Sequence, residues 1–305
     1  MQDLNNLKFK SHTGLGTIYL NTFIPENPNM YIIIIHGMAE HSGRYKDFAE
    51  FLMKNNIGAI TFDLPGHGKT VRDESDFGYF GQSGYKNVIK DIELIVETVR
   101  ENIPEDKKLV LFGHSMGSIL ARKYTSLENS NIDAAIYCGT LGPRDGIKAG
   151  ITLAKKTAKL KGAKHRTKLI HNIMHSGFLK DIENPQTKID WLTRDTYQIN
   201  KYLKDPLCGV MFTAGGFRDM FSWIYDVTSK DWAKQIKDIP ILLISGDKDP
   251  VGENGKGPLI TYEALKETNH NVKLKLYEGS RHEVLNEINN MEVYNDILEF
   301  LRNIE

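Results

Sequence analysis

The chain has 305 residues, 40% hydrophobic and 26% charged, a composition that suits a globular protein with a sizeable core. Its 39 Lys and Arg balance 39 Asp and Glu, which argues against nucleic acid as the main partner, since such domains carry a basic excess. Two cysteines, Cys138 and Cys208, make no disulfide framework, residues 1–10 are polar without the apolar stretch of a signal peptide, and no apolar run is long enough to span a bilayer, so a cytoplasmic location is expected.

In chain order, residues 7–24 alternate loosely around Gly14 and Gly16 and predict an antiparallel hairpin. Residues 31–35 are Tyr and four Ile between Pro28 and Gly37, a buried central strand. Residues 48–55 read as a helix. Residues 58–62 read as a strand that ends in the turn-rich Asp63-Leu64-Pro65-Gly66-His67-Gly68. Val88, Ile92, Ile95, Val96 and Val99 stand at helical spacing within residues 87–102. Strands are predicted at 109–112, 134–138, 241–245 and 272–277, and helices at 116–127, 259–267 and 284–302. This alternation implies right-handed βαβ units and an α/β fold with a mostly parallel central sheet flanked by helices.

The rhythm breaks between residues 138 and 241. Residues 141–237 contain helical patches and no strand pattern, which predicts a helical cap (lid) over the carboxyl edge of the sheet, where open α/β folds bind ligands. Residues 1–140 and 238–305 then form the core. Within the cap, segment 144–168 carries nine basic residues against the single acid Asp145. A basic amphipathic helix of this kind can lie on an anionic membrane, so peripheral membrane contact is one reading. The other is a solvated face that packs its apolar side inward, a reading favoured by the Ala and Thr that dilute the stripe. Farther on, Phe212, Phe217, Met220, Phe221, Trp223, Ile224 and Tyr225 read as cap core, with some members left to line an acyl tunnel.

Gly113-His114-Ser115-Met116-Gly117 lies between the strand at 109–112 and an apolar-periodic run. A Gly-x-Ser-x-Gly in that context reads as a sharp strand-to-helix turn that lifts the Ser115 hydroxyl above the sheet. A serine hydroxyl needs a neighbouring base, and His282 stands just beyond the strand at 272–277. The acid falls in Gly246-Asp247-Lys248-Asp249-Pro250, just beyond the strand at 241–245. The residues alone leave Asp247 and Asp249 both open, with turn capping the alternative role for Asp247. A developing oxyanion needs two backbone N–H donors. Met116, after the serine, supplies one, and Met38, in the loop after the strand at 31–35, supplies the other. His36, His41, His67 and His114 lie in loops near the same edge and are expected to bond loop backbone. No metal and no cofactor is expected.

The order Ser, Asp, His, with the loops His36-Gly37-Met38-Ala39-Glu40-His41-Ser42-Gly43-Arg44-Tyr45 and Asp63–Gly68, resembles the α/β-hydrolase superfamily. Within it the chain is similar to the monoacylglycerol lipase and lysophospholipase branch, sometimes grouped with serine aminopeptidases of the S33 type. The resemblance runs from about residue 10 to the C-terminus and is weak across the insertion. That family's Gly-x-x-Asp pattern selects Asp249 as the acid. It implies a cofactor-independent serine hydrolase that cleaves small acyl esters, of monoacylglycerol or lysophospholipid type, through an acyl-enzyme. Two rivals stand beside it. One is a peptidase with the same triad and a cap carboxylate among Asp181, Glu183, Asp190 and Asp195 to hold a free amino terminus. The other is a non-catalytic α/β-hydrolase scaffold.

Overall fold

The structure, a computed structural model, describes residue 4 and residues 7–304; residues 1–3, 5 and 6 of the polar N-terminal segment lie outside the described residues. Eight strands make one sheet in the order β1-β2-β4-β3-β5-β6-β7-β8. The hairpin β1 (Lys8–Lys10) and β2 (Thr17–Phe23) is antiparallel and joins β4 (Ile57–Phe62) at one edge. From β4 onward every pairing is parallel, through β3 (Met30–Ile35), β5 (Lys108–His114), β6 (Ala134–Cys138), β7 (Ile241–Gly246) and β8 (Val272–Tyr277).

Parallel strands are covered on both faces, and β3 shows why its run is continuously apolar. Tyr31, Ile33 and Ile35 enter one core cluster while Met30, Ile32 and Ile34 enter the other. The first cluster packs under α2 (Gly84–Asn102) and α3 (Met116–Thr125). The second packs under α1 (Lys46–Lys54) and α9 (Asn290–Arg302). Each large aliphatic side chain so buried contributes roughly 1.5–3 kcal/mol.

Between β6 and β7 lie α4 (Ile147–Lys161), α5 (Lys168–His175), α6 (Thr196–Lys204) and α7 (Ala214–Val227), with no strand beyond an isolated bridge between Arg166 and Thr213. Both ends of this insertion are held by one side chain of α3. The buried Arg122 guanidinium donates to the Leu141 carbonyl at 2.7 Å and the Thr140 hydroxyl at 3.1 Å where the chain leaves the sheet. It also donates to the Val227 carbonyl at 2.5 Å where the chain returns, and it stacks over Trp232 at 4.2 Å.

Three helix starts depart from the sequence pattern by three residues or more; α2 begins at Gly84, three residues before the expected 87. The helix after β7, α8 (Lys256–Glu267), starts earlier than its apolar positions indicate. The closing helix starts later: Val284–Asn286 is a 3-10 turn and α9 begins at Asn290. The cause is Glu287, whose carboxylate accepts the Arg281 N–H at 2.8 Å, the Ile288 N–H at 3.2 Å and the Arg194 guanidinium at 2.9 Å. A loop wrapped around a buried carboxylate offers the backbone better partners than an extra helical turn would.

Candidate active site

β5 ends at His114 and α3 begins at Met116, so one residue turns the chain from strand into helix. That residue, Ser115, has φ 53°, a left-handed conformation that costs a non-glycine residue free energy and is held by its surroundings. The flanking glycines make the turn fit. A Cβ at Gly113 would run into the Gly117 carbonyl, and one at Gly117 into the Ile35 carbonyl. The Ser115 N–H is anchored on the Cys138 carbonyl of β6 at 2.9 Å.

The loops after β5, β7 and β8 bring three predicted residues together. His282 Nε2 lies 2.8 Å from Ser115 Oγ, and His282 Nδ1 lies 2.9 Å from Asp249 Oδ2. A carboxylate only accepts, so Nδ1 carries the imidazole proton and Nε2 is left bare to accept from the Ser115 hydroxyl. Asp249 is fully buried, its other oxygen takes the Val251 N–H at 2.8 Å, and Ser245 Oγ donates to Oδ2 at 3.3 Å. Asp247 faces elsewhere: it accepts the Gly279 N–H at 2.7 Å and clamps the turn after β8. The geometry therefore separates two aspartates that the residues alone left open.

Gly37, Met38, Ser115 and Met116 border one cavity. Among the described residues no protein group accepts the Met38 N–H, so that donor is available to an oxygen in the cavity. The next residue, Ala39, also has a positive φ, 57°. Its carbonyl accepts the Gly209 N–H at 2.8 Å and the Tyr202 hydroxyl at 3.0 Å, both from the insertion, and its N–H donates to His67 Nε2 at 3.3 Å.

The loop histidines divide into two kinds. His36 and His67 do bond backbone: His36 Nδ1 donates to the Gly37 carbonyl while its Nε2 accepts the Leu64 N–H, and His67 Nδ1 donates to the Pro65 carbonyl. Burial lowers both from the usual imidazole range, His67 to about 3, so each keeps a bare nitrogen to accept with. His41 and His114 instead meet carboxylates. His41 Nε2 bonds Asp205 at 2.9 Å, beside Cys208. The Gly43 N–H donates to His41 Nδ1, so the proton sits on Nε2, the atom a metal would need bare; the trio is a hydrogen-bonded seam between loop and insertion. His114 meets Glu40, in a set of buried charges that sequence reading passed over.

Sequence reading also passed over two features of the insertion. His171 and His175 stand four apart on α5, their rings 4.2 Å apart, and both border the cavity. Trp191 lies 5.3 Å from the His282 ring and accepts the His282 N–H on its carbonyl. Their helical spacing was visible for the first; nothing local in the sequence marked the second.

Asparagine at 249 would present an amide where His282 needs an acceptor, while asparagine at 247 can still accept from Gly279 through its carbonyl oxygen. Asp249→Asn is expected to lower kcat by roughly 10⁴-fold and Asp247→Asn by less than about tenfold. A steady-state comparison on an activated ester checks this, and a larger loss at Asp247 would contradict it.

The chain is 28% identical to an uncharacterised abhydrolase domain-containing protein of Dictyostelium discoideum over 94% of its own length, and spans 28% of that longer protein. It is 25% identical to the monoacylglycerol lipase of Mycolicibacterium smegmatis over 95% of each chain. The crystal structure of a thermostable carboxyl esterase from Bacillus coagulans, in complex with glycerol, superposes with a TM-score of 0.92 at 28% identity, over 98% of this chain and 97% of that one. A family model described as serine aminopeptidase, S33, matches residues 26–289, and the chain therefore belongs to that family of α/β-hydrolases.

Proposed function

We propose that this protein is a serine hydrolase that cleaves single-chain acyl esters of the monoacylglycerol or lysophospholipid type through an acyl-enzyme. Its similarity to an esterase and a monoacylglycerol lipase supports carboxylic ester hydrolysis. The observation that carries the finer reading is the hydrogen-bonded chain Asp249–His282–Ser115 opening on a cavity of about 860 Å³. Leu153, Ile170, Met174, Leu192, Met220, Phe221 and Ile224 border that cavity, a wall suited to an acyl chain. The aromatic run from Phe212 through α7 thus divides. Phe212, Phe217 and Trp223 are fully buried with Phe80, whereas Met220, Phe221 and Ile224 reach the cavity.

In this reading Ser115 Oγ attacks the acyl carbonyl as His282 Nε2 takes its proton. Asp249 holds the imidazole in its tautomer and stabilises the imidazolium, and the Met38 and Met116 N–H groups meet the oxyanion. His282 then protonates the leaving alcohol. Water attacks the acyl-enzyme with His282 again as base. The Trp191 ring lies 5.3 Å from the ring of the buried base.

For the peptidase alternative, the one insertion acid among the described residues that borders the cavity is Asp145. Of the four cap acids considered for it, Asp190 is bound to the Gln186 N–H, Asp195 caps α6, Asp181 bonds Asn254, and none of the four borders the cavity.

The basic segment divides in the same way as the aromatic one. Arg144 pairs with Glu253, Lys164 with Asp76, and Arg166 donates to the Glu74 carbonyl, so these tie the insertion to the rest. Lys155, Lys156, Lys159, Lys161 and Lys168 are exposed and, among the described residues, form no ion pair. Leu160, Leu169 and Ile173 are exposed as well, at 82, 60 and 57%, and Ile173 also borders the cavity. Exposed lysines mixed with exposed aliphatics suit an anionic lipid surface from which the substrate could be drawn. No described helix is long and apolar enough to cross a membrane.

Purified protein is expected to hydrolyse monoacylglycerols and p-nitrophenyl acyl esters and to leave aminoacyl-nitroanilides intact. Turnover of the anilides alone would overturn the ester reading. The membrane contact is checked separately by sedimentation with vesicles. Binding should require anionic lipid, weaken with salt, and lose about 1 kcal/mol for each of Lys155→Gln, Lys156→Gln and Lys159→Gln. Equal binding to neutral and anionic vesicles would remove it.

A further inference from the structure

Four ionisable groups that the mechanism does not use lie beside the reactive pair: Glu40, His114 and Glu283 are buried at the cavity wall, and Arg44 is largely covered. Glu40 and Arg44 follow β3, His114 precedes the serine, and Glu283 follows the base. Arg44 donates to both Glu283 oxygens at 2.6 Å and to Glu40 Oε2 at 2.7 Å. Glu40 Oε1 lies 3.2 Å from His114 Nδ1, and His114 Nε2 lies 3.3 Å from the His282 carbonyl. The path closes, because Glu283 is covalently the next residue after His282.

Three of the four loops at the candidate site, those after β3, β5 and β8, join this ring. Glu40 Oε1 accepts the Gly37 N–H at 2.5 Å, which fixes the His36–Gly37 peptide, one residue ahead of the Met38 N–H. His114 is the residue before Ser115. The Glu283 N–H is in turn fixed to the Leu192 carbonyl of the insertion at 2.7 Å.

The charges close as well. Two carboxylates and one guanidinium leave the ring at −1, and a net charge buried without compensation is strongly disfavoured. Both nitrogens of His114 face acceptors, which satisfies an imidazolium and leaves a neutral ring one donor short. We propose that Glu283 is a positioning residue: with Arg44, Glu40 and a protonated His114 it closes a charge-balanced ring that fixes the base loop against the oxyanion loop and the serine turn. Its catalytic consequence rests on the ester-hydrolase reading, while the ring itself does not.

Other groups around His114 are consistent with this. Tyr45 donates to Glu40 at 2.8 Å, and Cys138, paired with His114 across β6, is kept a neutral thiol by burial. Burial alone would lower His114, but the bond and charge of Glu40, with Glu283 beyond, raise it above the usual imidazole range. Burial would likewise raise both carboxyls, and Arg44 holds them below the usual range. The His282 ring lies 4.9 Å from that of His114, so any charge left over on the ring acts directly on the base.

The test is imidazole ¹⁵N NMR across a pH series on the full chain, with thermal melts to confirm folding. Wild-type His114 is expected to remain protonated at pH 7. Glu283→Gln removes one negative charge, so His114 should lose its proton at lower pH. The electroneutral double variant Arg44→Met with Glu283→Leu should restore protonation. Glu283→Gln should also lower kcat by about tenfold to a hundredfold with little change in KM, and shift the acidic limb of the kcat/KM profile downward. A neutral His114 in the wild type at pH 7, or a His114 titration unmoved by Glu283→Gln, would overturn the proposal. The NMR result stands even if the wild type turns over no ester, so failure of the ring and failure of the ester reading are distinguishable.

Discussion

The structure turns on one backbone conformation, the left-handed φ of Ser115 between β5 and α3. A turn this tight exists only because Gly113 and Gly117 let the strand end, the helix start and the end of β3 come within contact of one another. Once the turn is made, the parallel sheet does the rest. All strands from β3 to β8 run the same way, so the loops after β3, β5, β7 and β8 emerge at one edge, and residues far apart in sequence meet there.

The insertion is part of that site rather than an attachment to it. Arg122 ties both of its ends to α3, and carbonyls of Trp191 and Leu192 accept N–H groups of His282 and Glu283. Tyr202 and Gly209 hold the Ala39 carbonyl, next to the Met38 N–H. The loops that carry His282 and Met38 are therefore both braced from the insertion.

Much of the core was legible because its signals are local. Continuous apolar runs bounded by glycine and proline mark buried parallel strands, and the Ser, Asp and His loops each follow one directly. The two aspartates of 246–250 were not separable by residue type; only the opposite directions of their hydrogen bonds distinguish them. The start of α9 was misplaced because Val284 and Leu285 continue the helical periodicity while Glu287 draws the backbone into a loop. The ring of Glu40, Arg44, His114 and Glu283 was invisible for a different reason: the Arg44–Glu283 bond joins residues 239 positions apart, and nothing local to either marks a buried partner. The basic segment was read as one face, whereas its cations divide between contacts with the core and free exposure.

In the proposed reaction Ser115 is the nucleophile that His282 activates. The most direct test of this is labelling of the intact protein with a fluorophosphonate probe, followed by mass spectrometry of the modified peptide. Stoichiometric modification on Ser115, lost in Ser115→Ala, is expected. Equal labelling of the Ser115→Ala protein, or modification at another residue, would contradict it.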